Sequence, residues 1–245
     1  METDFEEQLK TDIALRLNNV TESINRACKE AGRDASEVTL VGVSKVFPVG
    51  YAEAAFLSGL KDLGENRVQE LLPKEERMGE LGLKPNWHLI GTLQKNKVKY
   101  IIGKTHLIHS VDSVELASEI SKRSVSAGIV TDILLQGNIS GEESKHGFSE
   151  EELRSSMDIL NSLEGIRIRG LMTMAPIQTY EGEARITFSK TRSVFDEMKR
   201  YVKDPSIWDI LSMGMSQDYP HAIAEGATMV RIGTAIFGDR KSYNA

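Results

Sequence analysis

The chain has 245 residues, one cysteine and a formal charge of −6, from 30 basic and 36 acidic side chains. That balance argues against nucleic acid or an anionic membrane as partner, since both call for a basic face, and one cysteine excludes an internal disulfide. With 40% hydrophobic residues, no apolar run near the roughly 18 residues of a membrane span and an acidic start at Glu2, Asp4, Glu6 and Glu7 unlike a signal peptide, the sequence reads as a cytoplasmic protein, one domain over 1–245.

The chain opens on a helical pattern. Phe5, Leu9, Ile13, Leu17, Val20, Ile24 and Ala27 recur at three- and four-residue steps, and Gly32 ends the run. Cys28 falls inside it and reads as a small core residue. The β-branched run Val38–Lys45 then predicts a buried strand. Similar runs follow at Gly59–Leu63, Trp87–Ile90, Leu107–Val111, Thr131–Gln136, Ile166–Met172, Ile207–Leu211 and Thr228–Ile232. Helical patterns separate them, at Val49–Leu57, Val68–Met78, Gln94–Ile102, Ser113–Ala127, Glu150–Leu160, Gly182–Val202 and Tyr219–Ala224. Asp112 with Glu115, and Ser149 with Glu152, mark two helix starts. Alternating strands and helices predict parallel βαβ units. Eight units with nothing left over predict a single (β/α)8 TIM barrel carrying an extra N-terminal helix, with a doubly wound open sheet as the alternative.

A barrel of this kind carries its site at the C-terminal ends of the strands. Lys45 ends the first apolar run. Burial there lowers a lysine's pKa and frees its amine to attack a carbonyl as a Schiff base, while the other reading is a lysine that snorkels or pairs with a carboxylate. After the seventh and eighth strands come Ser212-Met213-Gly214-Met215-Ser216 and Gly233-Thr234-Ala235-Ile236-Phe237-Gly238. Those are the positions where barrels bind phosphate, with glycines admitting backbone N–H groups and hydroxyls adding donors. A Schiff-base lysine beside a phosphate cradle suggests pyridoxal 5′-phosphate. Arg231 would then face the pyridine nitrogen as a donor, or else pair with a carboxylate as a structural arginine.

These stretches, with Val43-Ser44-Lys45, Gly64-Glu65-Asn66, Trp87-His88-Leu89-Ile90-Gly91-Thr92 and Gly170-Leu171-Met172-Thr173-Met174-Ala175-Pro176, resemble the pyridoxal phosphate homeostasis proteins, also called the proline synthase co-transcribed family, from Val38 to Arg240. The resemblance implies a barrel like the N-terminal domain of alanine racemase, with the cofactor as a Schiff base on Lys45. It also implies phosphate on Ser212, Gly233 and Thr234, Arg231 at the ring nitrogen and Asn66 beside the ring. Arg67 stands where relatives commonly have an aromatic residue. The function implied is vitamin B6 homeostasis, with pyridoxal phosphate held and buffered or delivered to apo forms of enzymes that use it. The expected state is a monomer without a metal and without catalytic residues. The alternative is a racemase-like enzyme, which needs an acid or base on each face of its substrate. His88 and Tyr219 are the candidates for the second face, and core packing is the other reading of both. A cofactor-free Schiff-base aldolase is the third reading.

Two peripheral features complete the reading. Lys95, Lys97, Lys99 and Lys104 form a basic patch, read as a solvated face or an anion or docking site. Met172, Met174, Met213 and Met215 alternate along strand ends, as core residues of which two line the ring pocket.

Overall fold

The computed structural model describes residues 2–139, 146–176 and 182–239. Residues 140–145, within the loop from Gly137 to Gly147, lie outside the described residues, as does Arg240. A 29-residue helix, α1 (Glu2–Glu30), comes first. Eight parallel strands follow: β1 (Thr39–Val43), β2 (Asp62–Glu65), β3 (Asn86–Leu89), β4 (Leu107–Val111), β5 (Thr131–Gln136), β6 (Ile166–Met172), β7 (Ile210–Ser212) and β8 (Met229–Ile232). They pair in sequence order and close as β8 joins β1, with Val41 opposite Arg231. The TIM barrel is therefore the fold, and the open-sheet alternative is excluded.

Helices α2 (Val49–Leu57), α3 (Val68–Glu80), α4 (Val98–Ile101), α5 (Val114–Ala127), α6 (Glu150–Ser162), α7 (Glu183–Met198) and α8 (Tyr219–Ala224) fill the connections, and a one-turn helix α9 (Thr234–Phe237) follows β8. Six of the eight strands and five of the seven helices match the expected bounds to within two residues, and α7 ends at Met198, four residues before the expected Val202. The other exceptions have local causes. The second strand starts at Asp62 rather than Gly59, because Gly59 has φ +101° and ends the turn after α2. The seventh starts at Ile210, since Ser206 and Asp204 form a turn just before it. The helix expected over Gln94–Ile102 is one 3-10 turn over Lys95–Lys97 followed by the single turn of α4. Ser113, not Asp112, caps α5 by accepting from the Leu116 N–H. The capping box at Ser149 and Glu152 is present.

Side chains along a strand alternate between faces, and this splits the core in two. One layer packs strands against helices and takes in Cys28, Leu63, Leu89, Ile133, Trp208 and Tyr219. The other fills the barrel interior with Val41, Leu107, Leu134, Met172 and Met229. Two steps beyond these inward residues lie Val43, His109, Gln136 and Arg231, so the pleat carries polar groups onto the upper interior. Helix α1 packs against α2, α8 and α9 and so spans the junction of the first and last units. Among the described residues no helix is long and apolar enough to cross a membrane.

Candidate functional site

A cavity of about 470 Å³ opens at the C-terminal mouth of the barrel. Of the residues singled out by sequence, Lys45, Asn66, Arg231, Gly233 and Thr234 all line it. The strand pleat explains Lys45, which stands two residues beyond Val43, itself a cavity wall. The turn after β1 fixes it further. Val46 has φ +67°, a left-handed conformation that is an outlier for a β-branched residue, and its N–H donates to the Glu70 carboxylate at 2.7 Å. Strain of this kind, about 1–3 kcal/mol, persists only where the surroundings impose it.

A buried ion pair ties the ends of the first two strands. Lys74 of α3 donates to the Ser44 carbonyl at 2.8 Å and to the Glu65 carboxylate, which also accepts from the Ser44 hydroxyl at 2.6 Å. Ser44 and Glu65 immediately precede Lys45 and Asn66. Burial pushes the Glu65 carboxyl up, against the pull of Lys74 and the Ser44 hydrogen bond. Its second oxygen has no hydrogen-bond partner among the described residues. Gly91 presses on the same strand end from β3. A Cβ there would collide with the Asn66 carbonyl oxygen, so only glycine allows this approach.

Arg231 forms the floor. It is 4% exposed, donates from Nη1 to the Ser212 hydroxyl at 2.6 Å and from Nη2 to the Thr173 carbonyl at 2.9 Å. Burial lowers it to about 10, partly offset by the Asp218 charge. Asp218 also lines the cavity, and its carboxylate accepts from the Met215 N–H at 2.6 Å. Burial raises its carboxyl against that bond and the charge of Arg231.

Ser212 stands apart from the other expected phosphate ligands. It is fully buried, does not line the cavity, and is held by Arg231 and by His109 Nδ1 at 3.0 Å. The reason is geometric. As the last residue of β7, Ser212 points into the barrel interior, and the chain then turns at Gly214, φ +94°. That turn delivers Ser216 to the cavity, where its hydroxyl accepts from the Gly233 N–H at 3.2 Å. The serine beside Gly233 and Thr234 is the second of the Ser-Met-Gly-Met-Ser stretch.

Met174 and Met215 line the cavity, while Met172 and Met213 are buried. Arg67 is largely exposed and borders a neighbouring groove with Gln94 and Lys97 rather than the cavity. In the basic patch, Lys104 pairs with Glu75, and Lys97 and Lys99 lie over the Tyr100 ring. Neither candidate for a second acid or base reaches the cavity: Tyr219 packs in the outer core layer, and His88 lies in the barrel interior. His109, Asp218 and Lys74 had no role by sequence: His109 and Lys74 meet partners on other strands, and Asp218 enters the cavity through a local turn that bonds it to the Met215 N–H. Among the described residues no cluster of metal-binding side chains forms.

The site fits pyridoxal phosphate in its donor set. A lysine, a charge-bearing arginine on the floor, a hydroxyl-and-glycine loop and an apolar wall of Val43, Ile90 and Met174 share a cavity of suitable size. Gly233 leaves room that matters, because a Cβ would stand 3.2 Å from the Val43 carbonyl.

The family model for the alanine racemase N-terminal domain matches residues 15–241. The pyridoxal phosphate homeostasis protein of Aquifex aeolicus is 45% identical over 228 residues, covering 92% of this chain and 97% of that one. That of Pseudomonas aeruginosa is 39% identical, covering 93% and 96%. The structure of PipY from Synechococcus elongatus with PLP bound is 34% identical with a TM-score of 0.79, over 92% of this chain and all of that one. An alanine racemase from Clostridium difficile, 17% identical with a TM-score of 0.71, shares the fold over 94% of this chain and 60% of that one. The chain belongs to the pyridoxal phosphate homeostasis proteins, within the alanine racemase N-terminal domain family.

Proposed function

We propose that this protein binds pyridoxal phosphate at the barrel mouth and serves its homeostasis as a carrier or buffer rather than as a strong catalyst. The observation that carries the reading is the convergence of Lys45, Arg231, Gly233 and Thr234 on one cavity, from strands far apart in sequence. The PLP-bound structure of PipY and the names of the relatives support it.

When bound, pyridoxal phosphate supplies an aldehyde that an amine captures reversibly and a ring that withdraws electrons. The chain's own residues take the other parts. Lys45 is the covalent anchor, held by the Val46 turn and by the tie between Lys74, Ser44 and Glu65. Ser216, Gly233 and Thr234 receive the phosphate. Arg231 donates to the ring nitrogen, and as a guanidinium it offers no proton readily. Asn66 stands beside the ring. Turnover of an amino acid by racemisation calls for a proton acceptor on each face. Besides Lys45, the cavity offers Asp218, already bonded to a backbone N–H, and His146. That set favours retention over turnover.

The test is a visible spectrum of the purified protein with added pyridoxal phosphate, followed by borohydride reduction and peptide mapping. The expected adduct sits on Lys45, and Lys45→Ala loses it with the fold intact by circular dichroism. An adduct elsewhere, or none, rejects the assignment. Racemase assays on the loaded protein separate a carrier from an enzyme.

A further inference from the structure

A line of hydrogen bonds crosses the barrel interior from one face to the other. It starts at Asp62, the first residue of β2, whose carboxylate meets His88 Nε2 at 3.0 Å and accepts from Asn86 Nδ2 at 3.0 Å. His88 Nδ1 lies 2.9 Å from His109 Nε2, and His109 Nδ1 lies 3.0 Å from the Ser212 hydroxyl. Ser212 in turn accepts from Arg231 at 2.6 Å. His88, His109 and Ser212 are fully buried. The ends open on separate hollows. Arg231 lines the mouth cavity, while Asp62 lines a cleft on the opposite face with Asn18 and Thr21 of α1.

Donor and acceptor chemistry gives the line one direction. Arginine only donates, and an ionised carboxylate only accepts. Ser212 accepts from Arg231 and has one O–H to give, which His109 Nδ1 accepts. His109 then carries its proton on Nε2 and donates to His88 Nδ1. His88 likewise carries its proton on Nε2 and donates to Asp62. Every group is satisfied with both rings neutral. A proton added to His88 reverses the order. His88 Nδ1–H would donate to His109, His109 would turn its own Nδ1–H on Ser212, and the Ser212 hydroxyl would lose its acceptor beneath Arg231.

We propose that His88 and His109 are positioning residues, ordered by Asp62 on the far face, that fix Ser212 and so hold Arg231 as a donor to the cofactor site. The charged and titratable groups facing the line are Asp62, Arg231, Asp218 and His106, whose ring lies 5.5 Å from that of His88. Burial holds His109 well below the ordinary histidine value, and the Arg231 charge adds to the effect. Burial also lowers His88, opposed by Asp62. Asp62 is held below the usual carboxylate range: burial works against its ionisation, and the hydrogen bonds from His88 and Asn86 favour the charged form.

The effect on the cofactor rests on the functional reading above; the tautomers do not. Nitrogen-15 correlation spectra of the imidazoles, taken on the full chain without cofactor at pH 7.5, are expected to show His88 and His109 both neutral and protonated on Nε2. A cationic ring, or Nδ1–H on either, overturns the proposal. Asp62→Ala removes the acceptor from the far face, away from the mouth. It is expected to mix the His109 tautomers, shift the visible band of bound pyridoxal phosphate and weaken its retention roughly tenfold, the size of one hydrogen bond to a charged group. Asp62→Asn, which keeps an acceptor oxygen, restores all three. A lower melting temperature in Asp62→Ala with unchanged His109 tautomer and unchanged band shows packing alone and overturns the proposal. If the wild-type chain binds no pyridoxal phosphate, the functional reading fails, and the tautomers of His109 in wild type and Asp62→Ala still decide the relay.

Discussion

Lys45 was legible in the sequence because a charged residue at the end of an apolar strand has few places to go. The position of Gly233 and Thr234 was legible as a glycine-and-hydroxyl loop after the eighth strand, where barrels bind phosphate, and that of Arg231 from its place just before it. Ser212 and Ser216 were not separable by pattern, since both flank the same glycine and only the turn at Gly214 decides which hydroxyl reaches the cavity. Ser216→Ala is therefore expected to weaken retention of pyridoxal phosphate much more than that of pyridoxal, which lacks the phosphate. Ser212→Ala should affect both ligands alike, because it acts through Arg231. Equilibrium dialysis with the two ligands checks this. The Lys74 pair was invisible to pattern because its partners lie on two strands. Removing one member of a buried pair leaves the other charge without compensation, at about 3–5 kcal/mol. Lys74→Met is expected to lose that much in urea denaturation, and a second change, Glu65→Leu, to recover most of it. A single variant as stable as wild type would show that the pair contributes nothing.

At the level of elements, short apolar runs marked every strand, and the larger boundary errors fell at β2 and β7. Strands β2 and β7 each follow a turn that displaces the start of the run, at Gly59 and at Asp204–Ser206. The register of β6 rests on a single residue. Its pairing with β5 skips a place between Ile168 and Gly170, and such a bulge bends the strand and increases its twist. Gly170 has φ +150°, and a Cβ there would collide with the Ile210 carbonyl oxygen on β7. Gly170→Ala has no flexible neighbour to absorb the clash, since the obstacle is backbone. The expected loss exceeds about 3 kcal/mol, above the usual range for point variants, with little folded protein recovered. Normal yield and an unchanged denaturation midpoint would contradict this account of the bulge.

The whole molecule was the easiest scale to read, because eight alternating units leave few architectures open. What the alternation did not reveal is how the circle is sealed. Arg33, just after α1, donates from Nη1 to the carbonyls of Ile223 at 2.9 Å and Ala227 at 2.8 Å, at the end of α8. Arg33→Ala leaves both carbonyls short of that donor and should cost about 2 kcal/mol, read as a lower urea midpoint with an unchanged slope. An unaltered midpoint would mean that packing of α1 alone secures the junction.

That junction also dictates an order of events at the ribosome. The two partners of Arg33 lie 190 and 194 residues downstream, and β1 likewise waits for β8. At roughly 5–20 residues per second of synthesis, α1 and one side of β1 stay without their final neighbours for about 10–40 seconds. Through that interval the nascent chain carries an amphipathic helix whose apolar face lacks part of its cover and an open strand edge, the two features that invite misassociation. The step that removes both waits for α8 and β8, so a truncated translation product lacking them would emerge with its aggregation-prone surfaces unsealed and become a natural client for chaperones and proteases.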